Sequence, residues 1–393
     1  DCKFKGPHRY NNFGYTLGGP IYIPGLYKQR DKTFFFFSQE FRRDRTTAID
    51  TGTYPSALER SNAISAIHSA GGAVDANALA IMNHFLPLPN AGGDNFLLTA
   101  PSPTNFHQEL VRIDHRFNDK WSIWGRYIHD NQTTQEIGGL FNHLVFPGVA
   151  DTATSTPADN VVIRLATVIT PSLLNEVGYD FARNAITSSV VGDGLRKNFS
   201  DINIPQKFNG NTAGLLPNVF ISGFSAPLAF FGPFHNDNPS HTAVDNLTYT
   251  RGSHTFKAGV LISREAKNED AGGGFNGQFN FNGTITGNAL MDFLEGKAAS
   301  YTEGSNDVIV HERFKTFEWY VQDSWRVRPN LTLTLGLRHS IYLNPTDANN
   351  LLDSFLPRLY DPAKAVTLNP DGTIVPGSGD LFNGLAFAGK NSP

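Results

Sequence analysis

The strongest constraint on this chain is a two-residue alternation of apolar and polar side chains, repeated in segments whose connections are either very short or very long. Successive side chains of a strand point to opposite faces, so each such segment is a ribbon with one apolar and one polar side. The clearest runs from Leu331 to Tyr342. There Leu331, Leu333, Leu335, Leu337 and Ile341 share one face, and Thr332, Thr334, Gly336, Arg338 and Ser340 the other. Just before it, Phe317, Trp319, Val321, Trp325 and Val327 oppose Thr316, Glu318, Gln322, Ser324 and Arg326. Val161, Ile163, Leu165 and Ile169 oppose Asn160, Arg164 and Ala166, and Val177, Tyr179 and Phe181 oppose Glu176, Gly178, Asp180 and Asn184. Phe256, Ala258, Val260 and Ile262 oppose Lys257, Gly259 and Ser263, with Leu261 as the exception. The pattern predicts strands over 12–23, 32–43, 105–117, 120–131, 158–170, 173–187, 241–250, 253–267, 297–304, 312–328 and 330–343.

The connections sharpen this. Asn118-Asp119-Lys120, Thr170-Pro171-Ser172, Arg251-Gly252-Ser253 and Arg328-Pro329-Asn330 are tight turns, where Pro and Gly supply the backbone angles required. Between them lie long stretches, 44–104, 132–157 and 188–240. Compact domains rarely carry even one structureless connection of that size. Short turns at one end, long loops at the other and strands of at least about 9–11 residues are the plan of a bacterial outer-membrane barrel. In lipid, a sheet must close on itself to pair its backbone groups, with apolar side chains outward and a polar lumen. Trp121, Tyr179, Trp319 and Trp325 suit its interfacial girdles. The same period fits a soluble β-sandwich or propeller whose apolar face covers a core. The loop asymmetry favours the barrel.

Local signals place helices inside the long connections. Ser56 and Glu59 form a capping box that opens a helix to about Ala70. Asp75 caps a second through Phe85, stopped by Pro87, and Thr286–Leu294 reads as a third. The runs Ala271-Gly272-Gly273-Gly274 and Phe279-Asn280-Phe281-Asn282 read as loop or short hairpin, not as phosphate cradles.

Composition removes other classes. Aromatics make up 12% of the chain, with 31 Phe, and net charge is only −4, which excludes a disordered chain. The lone Cys2 excludes a disulfide scaffold, and no apolar run approaches the length of a transmembrane helix. Near-neutral charge without a basic run argues against a nucleic-acid partner. Both ends, Asp1 and Gly389–Pro393, read as cuts through a longer protein, so the lack of a targeting signal carries no weight.

Catalytic chemistry finds little support. His8, His235, His241 and His254 are scattered, without HExxH or HxH spacing, so no metal site is expected, and no cofactor. The carboxylate pairs Glu109/Asp114 and Glu318/Asp323 are five residues apart, which on a strand puts their members on opposite faces, unlike a glycosidase pair. Two groups remain as substrate-binding candidates. Arg164, Glu176, Asp180, Lys257, Glu318 and Arg338 lie on polar faces and read as lumen-lining. Phe220, Phe224, Phe230, Phe231 and Phe234 crowd one long loop, either to hold a ligand or to pack that loop against itself.

Five sets of strings, in order over about 11–345, resemble TonB-dependent outer-membrane receptors, specifically the Oar-like group. They are Asn12–Ile21 (NFGYTLGGPI); Arg30–Phe37 (RDKTFFFF) with Glu40; Val111–His115 (VRIDH) with Gly125–Tyr127 (GRY); Asn288–Gly296 (NALMDFLEG); and Tyr320–Trp325 (YVQDSW) followed by Leu331–Arg338 (LTLTLGLR). The resemblance implies an all-β, antiparallel up-and-down transmembrane barrel of 22 strands with an N-terminal plug. The 11 expected strands over 12–343 would then be about half of it, with 1–11 ending the segment that enters the barrel and 344–393 starting a long outer loop. It also implies a non-enzymatic, monomeric transporter in the Gram-negative outer membrane. Its partners would be lipid, the TonB-ExbB-ExbD system through a missing N-terminal part, and a glycan, peptide or siderophore-like ligand. The alternatives are a secreted soluble β-rich glycan-binding or glycan-hydrolysing protein and a passive porin. The first turns on whether the leucine face of 331–337 is covered.

Overall fold

In a computed structural model, which describes residues 8–388 apart from 141–148, 231, 272–273, 306–307 and 371, nearly all the alternating segments form long strands. The chain runs through β1 (Arg9–Pro20), β2 (Thr33–Thr53), α1 (Ala57–Ser69), α2 (Ala76–Phe85), β3 (Asn95–Arg116) and β4 (Trp121–Glu136). Next come β5 (Thr152–Thr170), β6 (Leu173–Val190), β7 (Asn218–Ile221), β8 (Phe234–Arg251), β9 (His254–Asp270) and β10 (Gln278–Phe281). Then follow α3 (Ala289–Leu294), β11 (Ser300–Thr302), β12 (Val310–Arg328), β13 (Leu331–Tyr342), β14 (Thr346–Asp347), β15 (Asp353–Phe355) and β16 (Leu385–Phe387). Cys2 and Gly272-Gly273 lie outside the described residues.

The long strands make one wall in the order β1-β2-β3-β4-β5-β6-β8-β9-β12-β13, each antiparallel to its neighbour. β14 is the eleventh member, pairing with β12 beyond the end of β13. The expected wall strand at 297–304 is not among them. Its core is the three-residue β11, which pairs with β10 in a separate sheet that also holds β7. That segment is too short and too interrupted by Gly296 and Gly304 to span a bilayer.

Register carries the apolar face unbroken across the wall. Ile163 pairs with Tyr179, Tyr179 with Ala243, Ala243 with Ile262, Ile262 with Phe317, and Phe317 with Ile341. Because side chains alternate, one register slip on any strand would reverse its faces. Nothing in the described molecule covers this side: Leu333, Leu335 and Leu337 are 41%, 69% and 60% exposed. A soluble sandwich would bury them.

At one end of the wall the strands join through 117–120, 171–172, 252–253 and 329–330, with a wider turn at 21–32. Gly252 has φ +60, the left-handed geometry that suits glycine in its two-residue turn. At the other end run 54–94, 137–151, 191–233 and 271–309. The first three are shorter than the alternation implies, 54–94 most of all because β2 and β3 pair all the way from Thr33–His115 to Thr53–Asn95, whereas 271–309 is longer because 297–304 joins no wall strand. Strands of 21 and 22 residues exceed what a bilayer needs, and their polar upper halves erased the apolar period.

All four of those connections fold together as a cap, 137–151 joining through Val149 and Ala150. Ile67, Ile81, Phe85, Leu216, Val219, Leu228, Phe293 and Leu294 belong to one buried cluster. Among the described residues, no member of that cluster lies in a wall strand. α1 and α2 start where the sequence signals place them, and α3 starts at Ala289, three residues after the expected Thr286, because Asn288 caps it. Ser56 N–H donates to Glu59 at 2.8 Å while Ser56 Oγ accepts from Glu59 N–H at 3.3 Å, completing the capping box. Asp75 Oδ1 accepts from Ala78 N–H at 2.9 Å to open α2, and Asn288 Oδ1 from Met291 N–H at 3.1 Å to open α3.

Candidate functional site

The pairing register places Arg164, Glu176, Asp180, Lys257, Glu318 and Arg338 all on the polar side of the wall, opposite the leucines. It brings some together. Arg164 grips Asp180 with both terminal nitrogens, at 2.6 and 2.8 Å, the bidentate geometry that fixes a guanidinium in place. Glycine makes this possible: a Cβ on Gly178, directly opposite Arg164, would meet Arg164 Nη1 at 2.7 Å and Val244 Cγ2 at 2.7 Å. Arg338 pairs with Glu318, whose other oxygen accepts from Tyr342 Oη at 3.5 Å. Gly259 likewise leaves room for Tyr320, whose hydroxyl donates to Asn246 at 2.9 Å. Lys257 stands apart from these pairs, opposite Thr248 and Gln322.

A groove of about 400 Å³ opens on the same side, lined by Asp130, Asn160, Asn184, Asn238 and Ser240. Arg126 Nη2 donates to Asn160 at 2.9 Å, while Arg126 Nε and Asn238 Oδ1 are buried without a protein partner. Buried polar atoms of this kind normally have a partner, and of the two only Asn238 lines the groove, where its carbonyl can meet an entering polar group. A larger space of about 490 Å³ lies among Leu247, Tyr249, Phe256, Val321 and Leu335. Its lining is chiefly the apolar side, which suits acyl chains and not a polar ligand.

The cap holds three of the aromatic candidates. Phe230 is buried in its core and Phe220 and Phe224 pack half-buried against it; Phe234 is buried at the start of wall strand β8, and Phe231 lies outside the described residues. Their burial supports the packing role over a ligand-stacking one. A pocket of about 170 Å³ is lined instead by Asp75, Asn77, Ile81, Val219, Phe279 and Phe281. The alternation Phe279-Asn280-Phe281 was the available signal for those two rings, masked by the surrounding Gly and Asn. At the floor of the cap, Asp292 is fully buried and accepts from Thr286 N–H at 2.7 Å and Thr286 Oγ1 at 2.6 Å. Burial opposes its ionisation, but those donors and the N–H groups of Ile285 and Gly283 hold the carboxyl below the usual carboxylate range.

With an unbroken apolar side, a polar side and a cap at one end, the sequence match decides the family: residues 2–392 match the family described as "Outer membrane beta barrel domain". The chain belongs to that family. It is an outer-membrane β-barrel domain, and its exposed apolar side is the lipid-facing one. No curated protein sequence matches the chain. The barrel domain is similar to the Escherichia coli outer membrane transporter YddB at 11% identity and TM-score 0.44, covering 86% of this chain and 35% of that one. It is similar to the Pseudomonas aeruginosa pyoverdine-bound FpvA at 10% identity and TM-score 0.40, covering 88% and 38%. The ferric enterobactin receptor PfeA of the same species gives 12% identity and TM-score 0.41, covering 87% and 38%. The chain thus spans well under half the length of each.

Other sequence expectations fall into place on the barrel domain. Trp121, Tyr179, Trp319 and Trp325 all face lipid, Trp121 opening β4 and Trp325 close to the end of β12. Glu109 and Asp114 lie on opposite faces, as do Glu318 and Asp323. The named histidines do not gather. His8 contacts Asp44 at 3.0 Å, His235 Thr187 at 3.1 Å and His241 Tyr179 at 2.8 Å, while His254 stacks on Trp325 and contacts Asp323 at 2.7 Å. What sequence reasoning passed over is His107, Glu109 and His129, whose potential ligand atoms lie within 4.8 Å of one another. The signal was a His-x-Glu on one strand, which shares a face as surely as the His-x-His that was sought.

Proposed function

We propose that this barrel domain is part of an active, TonB-dependent transporter of the Oar-like group, supplying barrel wall and ligand mouth and no catalysis. About half of a 22-stranded barrel would be present, with the plug and the TonB-contacting segment contributed by an N-terminal part. In this reading the Arg164–Asp180 and Glu318–Arg338 pairs, with Glu176 and Lys257, line the lumen and hold the plug. The cap and the Asn-rich groove meet a glycan, peptide or siderophore-like ligand, and TonB with ExbB and ExbD drives the plug of a monomeric receptor. The observation that carries it is the division of labour. A wall with lipid on one side has its long connections folded into one cored cap at a single end, which suits selective capture better than free diffusion.

The test uses the full-length protein. Its binding to the purified C-terminal domain of TonB is measured by calorimetry, and its permeability by swelling of liposomes in small sugars. A receptor of this class binds the TonB domain and leaves the liposomes unswollen. Swelling without TonB binding would identify a passive porin and end the proposal.

A further inference from the structure

We propose that His107, Glu109 and His129 form a site for a divalent transition-metal ion of the zinc type on the lipid-facing side of the wall. The three sit on adjacent strands, His107 two residues before Glu109 on β3 and His129 directly opposite Glu109 on β4. All are half-buried, and His107 Nε2 is 4.0 Å from Glu109 Oε2. Two imidazoles and a carboxylate are a donor set that zinc takes, with a fourth position left for water. Bonds of about 2.1 Å put tetrahedral donors about 3.4 Å apart, so the ligands must draw together by roughly an ångström, within reach of side-chain rotation.

The surroundings support a metal over a chance cluster. His129 Nδ1 contacts Asp159 Oδ1 at 2.9 Å, which orients the ring and leaves Nε2 to ligate, and Gln39 Nε2 donates to Glu109 Oε1 at 2.9 Å, which leaves Oε2. Such outer contacts are the usual support of metal-binding side chains. Asp159 is itself held by Tyr127 Oη at 2.7 Å and by Arg183 at 3.4 Å, and Arg183 reaches Asp237 at 2.8 Å. The three carboxylates Glu109, Asp159 and Asp237 thus outnumber the flanking guanidiniums, Arg183 and Arg43 of β2 beside His107, and the cluster favours a dication. It lies where the apolar side gives way: Val111 and Tyr127 are next on the side of the short turns, Asn105 and Asn131 on the side of the cap. At that edge an ion would also pin β3 to β4.

The full-length receptor is purified in detergent, stripped with chelator and titrated with Zn²⁺, the bound metal being counted after dialysis. One equivalent is expected to disappear in each of His107→Ala, His129→Ala and Glu109→Gln, and to persist in His241→Ala. Asp159→Asn is expected to weaken binding 10–100-fold, as for other outer-shell partners. Co²⁺ on the unmodified protein reads the geometry without any substitution, with the intense visible bands of a tetrahedral site. Unchanged zinc stoichiometry in the ligand variants, no zinc retained by the unmodified protein, or only the weak bands of octahedral Co²⁺ would each overturn the site.

Discussion

The wall and the cap of this domain solve the same problem in opposite ways. In the cap, apolar side chains turn inward, and Phe293, Ile67 and Leu216 are buried as in any soluble domain. In the wall they turn outward, with the hydrogen-bonded polar groups facing one another on the other side. One chain thus carries both patterns, each in register with a different solvent. The wall is stabilised by strand pairing and by lipid, the cap by a packed core of its own.

Substitutions break this comparison in order of size. Phe293→Ala removes a ring buried at the centre of the cap and should cost about 3–5 kcal/mol of cap stability. Limited proteolysis should then cut within 54–94 and 191–233 while the wall stays protected; equal loss of both would mean that the two regions are not separate. Leu335→Arg should cost the wall about 2–4 kcal/mol if the position sits near the bilayer midplane. Urea unfolding in phospholipid vesicles measures it, with Thr334→Arg on the polar side as the nearly neutral control. Gly178→Ala forces a methyl against Arg164 and should cost about 1–3 kcal/mol. The same assay applies, and a neutral result would show that the Arg164–Asp180 pair is not held as tightly as its geometry implies. Ser56→Ala should cost about 1 kcal/mol, confined to the cap, read by hydrogen exchange in α1.

The smallest effect at neutral pH concerns Asp292. Its folded pKa is lowered, so its stabilising contribution is fully present above the ordinary carboxylate value of about 3.9 and is lost as pH falls through the folded value. Cap proteolysis should therefore rise below about pH 4 before wall strands melt, and Asp292→Asn should remove that pH dependence.

Much of the wall was legible because a period of two survives any amount of sequence change that keeps lipid on one side. The segment from Leu331 to Tyr342 and the turn at Pro329-Asn330 read directly as β13 and its hairpin. The caps at Ser56 and Asp75 were legible for a different reason, since those hydrogen bonds are local. Long-range features were not. The extension of β2 and β3 above the membrane has no apolar period, and the pairing of β10 with β7 joins residues far apart in sequence. For the site, the six polar-face residues could be assigned to a face by counting. Which of them meet, and the approach of His129 to His107 and Glu109, needed the register between strands.

Lipid solvates one side of the wall and water the other. The most direct measurement places single nitroxide labels at 333 through 338 in the full-length protein, with Cys2 replaced, and reads collisions with oxygen and with a water-soluble nickel complex in liposomes. That division predicts oxygen-dominated collisions at 333, 335 and 337 and nickel-dominated ones at 334, 336 and 338. A uniform profile, or leucine positions closed to both reagents, would contradict it.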